Sequence, residues 1–222
     1  MMPRPAPTRA WAILTWPNRI ALLRLGLVAP FVMLIMQHHE HPLYRYGAMA
    51  VFVVMAVSDF LDGYLARRLN CVTHLGKILD PLADKVLIAT SVMLLSLEGS
   101  AVAGARLPPW VAVIVLGKDL WVLVGFLVLF LLTGKVHVQP NIFGKLCTAG
   151  QLVMVTTVLL VPELNAIADG FGTVLARIFW WAVAGLSILA ATTYTRQGIA
   201  ILGEADPNDR HSQKQDNDSS SR

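Results

Sequence analysis

Charge is what this chain has least of. Asp, Glu, Lys and Arg make up 14% of its 222 residues, while 55% are hydrophobic. Water-soluble domains carry roughly 25% charged residues, so an ordinary soluble domain is excluded. Cysteine is nearly absent. Cys71 and Cys147 are too few for a disulfide framework, and both are expected as free thiols on the cytoplasmic side. Aromatic residues stand at 8% and fall mostly inside apolar runs instead of among basic ones, which excludes a nucleic-acid-binding face. No internal repeat is visible, and little chain is left between the apolar runs.

Those runs are what is there. A membrane span needs about 20 consecutive apolar residues, and the chain offers six candidates, at about 20–36, 44–65, 78–97, 110–132, from 143 onward, and 174–194. The expected fold is therefore an all-α integral membrane protein of six transmembrane helices in one domain, 17–200. Residues 1–16, with Trp11, Ile13, Leu14 and Trp16 after a Pro- and Arg-bearing start, read as a short interfacial helix. The spans that follow argue against a cleaved signal peptide. Residues 203–222 are polar, lack apolar periodicity and are expected to be disordered.

Orientation follows from the distribution of basic residues. With both termini inside, only four of the 18 lysines and arginines fall elsewhere: Arg45 and Arg106 outside, Arg177 near that face, and Lys118 within a span. The reading is a cell or inner membrane protein with its site at the cytoplasmic face. The loop containing His38, His39, Glu40 and His41 is explained by its position between spans without a metal. Arg177 reads as an anchor that extends to the interface.

The unusual stretch is Ser58 to Asp84, where four carboxylates lie inside or against apolar segments. Charge at membrane depth is expensive and usually faces a polar cavity with a function. Asp59 and Asp62 are three residues apart, and Asp80 and Asp84 are four apart, so each pair shares one helix face. Between them Gly63, Arg67, Arg68, Asn70, Thr73 and Gly76 have the composition of a bend. Four carboxylates in one small site must be neutralised by protons or cations. Oxygen-only ligands favour Mg²⁺, Mn²⁺ or Ca²⁺ over zinc. The residues alone thus point to metal-assisted phosphoryl-type transfer at a membrane surface, with two glycines allowing close backbone approach to a ligand.

The same residues resemble the signature of the CDP-alcohol phosphatidyltransferases, D-x-x-D-G-x-x-A-R followed by G-x-x-x-D-x-x-x-D. It is carried by Asp59, Asp62, Gly63, Ala66 and Arg67, then, after eight residues, by Gly76, Asp80 and Asp84. The resemblance covers about residues 17–195. It implies transfer of a phosphatidyl group from CDP-diacylglycerol to an alcohol, with CMP leaving. It further implies two divalent ions, Mg²⁺ or Mn²⁺, with Asp59, Asp62, Asp80 and Asp84 as ligands and Asp84 as general base. Asp62, Gly63, Ala66, Arg67 and Gly76 would bind the cytidine diphosphate. Family members are commonly homodimers.

Two further stretches bear on the acceptor. Pro17, Asn18 and Arg24 resemble the entry of the phosphatidylglycerophosphate synthase branch, although Ala21 stands where a hydroxyl is usual. Gly144, Lys145, Thr148 and Gln151 resemble its G-K-x-K-T-x-x-Q stretch, with Cys147 in place of the second lysine. Glycerol 3-phosphate is therefore the expected acceptor, with Lys118 and Lys145 as candidates for holding its anion. Lys118 also suits a structural ion pair. Lys118, Asp119 and Cys147 leave a cardiolipin synthase of the same family, with phosphatidylglycerol as acceptor, as the alternative. A cation-coupled carrier is the rival from another class, but it would hold its charges near the midplane and often shows an inverted repeat.

Overall fold

The computed structural model describes residues 16–69, 76–133 and 142–205, with side chains described for 22–58, 83–129, 131 and 142–203. Six α-helices make up the described backbone: α1 (Trp16–Gln37), α2 (Pro42–Leu69), α3 (Gly76–Ser96), α4 (Pro109–Thr133), α5 (Ile142–Ile167) and α6 (Phe171–Ala205). Each expected span is found as a helix. Three stretches are long and apolar enough to cross a membrane: Pro109–Leu129, Ile142–Ile167 and Phe171–Gly203. The shortest, of 21 residues, rises about 32 Å and so matches the hydrocarbon core. Shorter apolar stretches, Leu22–Gln37 and Pro42–Ser58, lie on α1 and α2.

Two boundaries differ from the sequence reading. Gly63, Arg67 and Arg68, expected in the bend, lie within the helical backbone of α2, and Gly76 opens α3; Asn70 and Thr73 lie outside the described residues. Arginine and leucine propagate a helix readily, and one glycine does not stop it. Likewise α6 runs on past Tyr194 to Ala205, through residues that are less apolar but still helix-forming. The interfacial segment expected at 1–16 and the tail at 203–222 lie, except for Trp16 and 203–205, outside the described residues.

The described connections are short and tied by hydrogen bonds. Between α1 and α2, His38 Nδ1 lies 2.7 Å from the Ile35 carbonyl, and His41 Nδ1 accepts the Leu43 N–H at 3.3 Å. These histidines finish one helix and start the next. The α3–α4 connection holds a 3₁₀ turn, Glu98–Ser100, and the Leu107 N–H donates to the Leu95 carbonyl at 3.0 Å. At the α5–α6 turn, Gly170 takes a positive φ of 72°. Asn165 of α5 then caps α6 from outside, its Oδ1 accepting the N–H groups of Gly172 (2.8 Å) and Thr173 (3.2 Å). Gly172 is required there, because a Cβ would stand 2.7 Å from the Val161 carbonyl oxygen and 2.8 Å from Leu164 Cβ.

Packing divides the bundle into two halves. Among the described residues, α1 packs on both α2 and α3, while α6 packs on both α5 and α4; contacts between the two sets are sparse. Phe31 and Phe52 meet at 5.9 Å in the first half. Gly150 lets α5 approach Val183 and Leu186 in the second. The shared core runs through Met55, Leu87, Leu95, Val115, Met154, Val158 and Val183. Two buried hydroxyls are satisfied within their own helices, Ser91 on the Leu87 carbonyl (2.8 Å) and Thr157 on the Val153 carbonyl (2.8 Å). Hydrocarbon itself offers them no partner.

The outward surface is apolar where a soluble protein would be charged. Leu120, Leu123, Leu127 and Leu131 of α4 are all exposed. Such a face suits acyl chains. Trp110 and Trp181 meet at 4.8 Å with their rings tilted by 40° near the start of α4, where an aromatic belt at the membrane boundary is expected.

Candidate active site

The motif occupies α2 and α3, the two helices that share α1 as a packing partner. Asp59 and Asp62 lie in the last three turns of α2; Gly76 is the first residue of α3 and Asp80 follows in its second turn. The side chains of Asp59, Asp62, Gly63, Ala66, Arg67, Gly76 and Asp80 fall outside the described ones. Asp84 is described: it is half-buried on α3, about 12 Å of helix rise from Gly76. Asp84 therefore lies below the start of α3, partly within the bundle. Among the described residues no three acidic, His or Cys side chains gather as a metal group. The expected ligand set rests on three undescribed carboxylates and Asp84. Its donor chemistry, four carboxylates at one-turn spacing on consecutive helices, fits a hard divalent ion.

Arg24 is 1% exposed on α1, the helix between the two Asp-bearing ones. A buried guanidinium is strongly destabilising unless compensated, which sets this position apart from the apolar core around Phe31 and Phe52. The sequence signal was an arginine within an apolar run, to which only an entry motif was attached.

At the level of Asp84 the two halves are joined by charge. Lys85, the next residue on α3, forms an ion pair with Asp119 of α4. Lys118 Nζ also approaches the Asp119 carboxylate, at 3.0 Å. Lys118 is 8% exposed, and its ammonium continues to Cys147 Sγ of α5 at 3.5 Å. The Cys147 sulfur lies 3.3 Å from Ser187 Oγ of α6 and 3.7 Å from Gln151 Nε2. One polar chain thus crosses α3, α4, α5 and α6. The structural pairing anticipated for Lys118 is present, and Cys147 is free and fully buried. Cys71 lies outside the described residues.

Lys145 is placed differently. It is exposed in the first turn of α5 and, among the described residues, shares no partner with Lys118. Beside it Gly144 admits the Tyr194 hydroxyl, which would lie 2.6 Å from a Cβ there. Thr148 turns its hydroxyl to the Gly144 carbonyl at 3.3 Å, and Gln151 is buried. Of the four residues that match the acceptor stretch, Lys145 alone offers a charge to a ligand. Arg177 is exposed near the start of α6, as an interfacial anchor would be.

Comparison with known proteins bears on the same residues. The family model for CDP-alcohol phosphatidyltransferases matches residues 14–192. The chain is 30% identical over 186 residues to a CDP-diacylglycerol–glycerol-3-phosphate 3-phosphatidyltransferase of Aquifex aeolicus, covering 84% of this chain and 97% of that protein. A Bacillus subtilis protein of the same name is 30% identical over 154 residues, 65% of this chain and 76% of the relative. A cardiolipin synthase (CMP-forming) of Streptomyces coelicolor is 34% identical over 178 residues, 78% and 75% of the two chains. The match spans every helix but the end of α6 and includes the whole carboxylate motif, which leaves the carrier reading without support. This integral membrane protein belongs to the CDP-alcohol phosphatidyltransferase family.

Proposed function

We propose that the protein transfers the phosphatidyl group of CDP-diacylglycerol to glycerol 3-phosphate and releases CMP. The observation that carries this reading is the signature itself, complete at eight positions and set on two consecutive helices that pack on α1. In the proposed reaction the acceptor hydroxyl oxygen forms a bond to the phosphatidyl phosphorus. The bond from that phosphorus to the bridging oxygen breaks, and CMP leaves. Asp84 takes the hydroxyl proton. Asp59, Asp62, Asp80 and Asp84 would hold two divalent ions, Mg²⁺ or Mn²⁺, which offset the diphosphate charge and stabilise the leaving phosphate. Gly63, Ala66, Arg67 and Gly76, with Asp62, would receive the cytidine diphosphate. Lys145, and Lys118 from inside the seam, would supply positive charge for the acceptor.

The proposed topology has six spans, both termini and the site on the cytoplasmic side, and a homodimeric assembly in the bilayer. The basic residues at the motif end of the helices support this orientation.

A second acceptor, phosphatidylglycerol, has one specific observation in its favour. Where the glycerol 3-phosphate branch has a second lysine, Cys147 is buried against Lys118, so the seam carries one cation fewer. A phosphodiester bears less charge than a phosphomonoester and needs fewer cations. The test is CMP release by purified protein with CDP-diacylglycerol and Mg²⁺ or Mn²⁺, offering each acceptor separately. Release with glycerol 3-phosphate alone supports the first reading; release with phosphatidylglycerol alone replaces it with the second.

A further inference from the structure

We propose that Asp119 is a positioning residue that registers the acceptor-binding half of the bundle against the half that carries the Asp motif. This rests on the reading that Lys118 and Lys145 serve the acceptor. The two halves share few direct contacts among the described residues. The described ion pairs that cross between them number two: Lys85–Asp119 at the level of Asp84, and Arg45–Glu163 at the opposite end of α2 and α5. Only the first adjoins the reacting groups.

The geometry makes Asp119 a shared counter-ion. Its carboxylate, 17% exposed, receives Lys85 from α3 and Lys118 from its own helix. Lys85 is next to Asp84 in sequence, so fixing its ammonium to α4 also limits rotation of the α3 segment that carries Asp84. Lys118 is fixed at the same time, between Asp119 and the Cys147 sulfur. One carboxylate thereby sets two distances, from α3 to α4 and from α4 to α5. The Asp119 carboxylate is mostly buried while the Lys85 side chain is 45% exposed, so the hold on Asp119 comes from both lysines acting together. Asp119 touches no reacting atom in this account; it acts through the two lysines.

The experiment uses the full-length protein in lipid nanodiscs with the metal and both substrates. Asp119→Asn is expected to raise the acceptor KM about tenfold while the donor KM stays within about twofold, because only the register between halves is lost. Asp119→Glu should restore most of the acceptor KM. Glu163→Gln, at the other crossing pair, should lower thermal stability and leave both KM values in place. Equal shifts in both KM values for Asp119→Asn, or no shift, would overturn the proposal. A second readout does not depend on turnover: spin labels at Val57 of α2 and Leu123 of α4, both exposed, in a Cys71→Ser background. The distance distribution should be narrow in the parent and broaden with Asp119→Asn. An unchanged distribution would overturn the proposal even if CMP release requires an acceptor other than those anticipated. Silence of the parent with every acceptor would count against the proposed reaction, and the distance measurement would still decide the role of Asp119.

Discussion

Arg45 and Glu163, 118 residues apart in sequence, form an ion pair between α2 and α5 at the end of the bundle away from the motif. Both side chains are largely buried, and the second carboxylate oxygen of Glu163 has no other partner. The two ends of the pair are therefore not equivalent. Arg45→Gln strands a buried carboxylate, whereas Glu163→Gln leaves a guanidinium that can still lie over the Tyr46 ring, 5.3 Å away. Arg45→Gln is expected to destabilise the protein by about 2 kcal/mol, and Glu163→Gln by less. Thermal unfolding in detergent measures the order of the two variants, and the reverse order would contradict this assignment.

The proposed base gives the sharpest kinetic expectation. Asp84→Asn keeps the shape of the side chain and removes its ability to accept a proton. CMP release should fall at least about a hundredfold, with insertion and thermal stability retained. Near-normal release by this variant would remove Asp84 from the role.

Metal dependence follows from the donor set. Treatment with a chelator should abolish CMP release, and Mg²⁺ or Mn²⁺ should restore it, since both accept carboxylate oxygen at ordinary distances. Zn²⁺, which prefers nitrogen and sulfur donors, should restore it poorly. Activity that persists through chelation would oppose the four-carboxylate reading.

The α5–α6 turn predicts a purely structural pair of effects. Asn165→Ala removes the acceptor for two N–H groups at the start of α6 and should cost about 1 kcal/mol. Gly172→Ala drives a methyl group into the Val161 carbonyl and Leu164 and should cost about 2 kcal/mol. Both should lower the unfolding temperature and leave the KM values as they were.

Much of the fold is legible in the residues because apolar run length and helix length are governed by the same membrane thickness. The start of α4 at Pro109 and the opening of α5 near Phe143 follow from local composition. The continuation of α6 beyond Tyr194 does not, because a helix can outlast the apolar stretch that announces it. The seam at Lys118 was legible only as an ambiguity. Adjacent residues on a helix normally face apart, so a Lys118–Asp119 contact is not implied by spacing; the length of the lysine side chain brings it about. The partners Cys147, Ser187 and Gln151 come from two other helices, and helix-to-helix facing is not written in any local pattern. The division into halves is hidden for the same reason, since it depends on which faces of α1 and α6 are shared.

That division has a bearing on how such a protein diverges. On the proposed reading the donor is handled by the first three helices and the acceptor by the last three, with little interlocking between them among the described residues. Substitutions in α4, α5 and α6 can then accumulate without disturbing the carboxylate motif. A lineage can change the alcohol it uses while keeping its nucleotide chemistry. Relatives of similar identity that bear two different enzyme names are what such a history would leave behind.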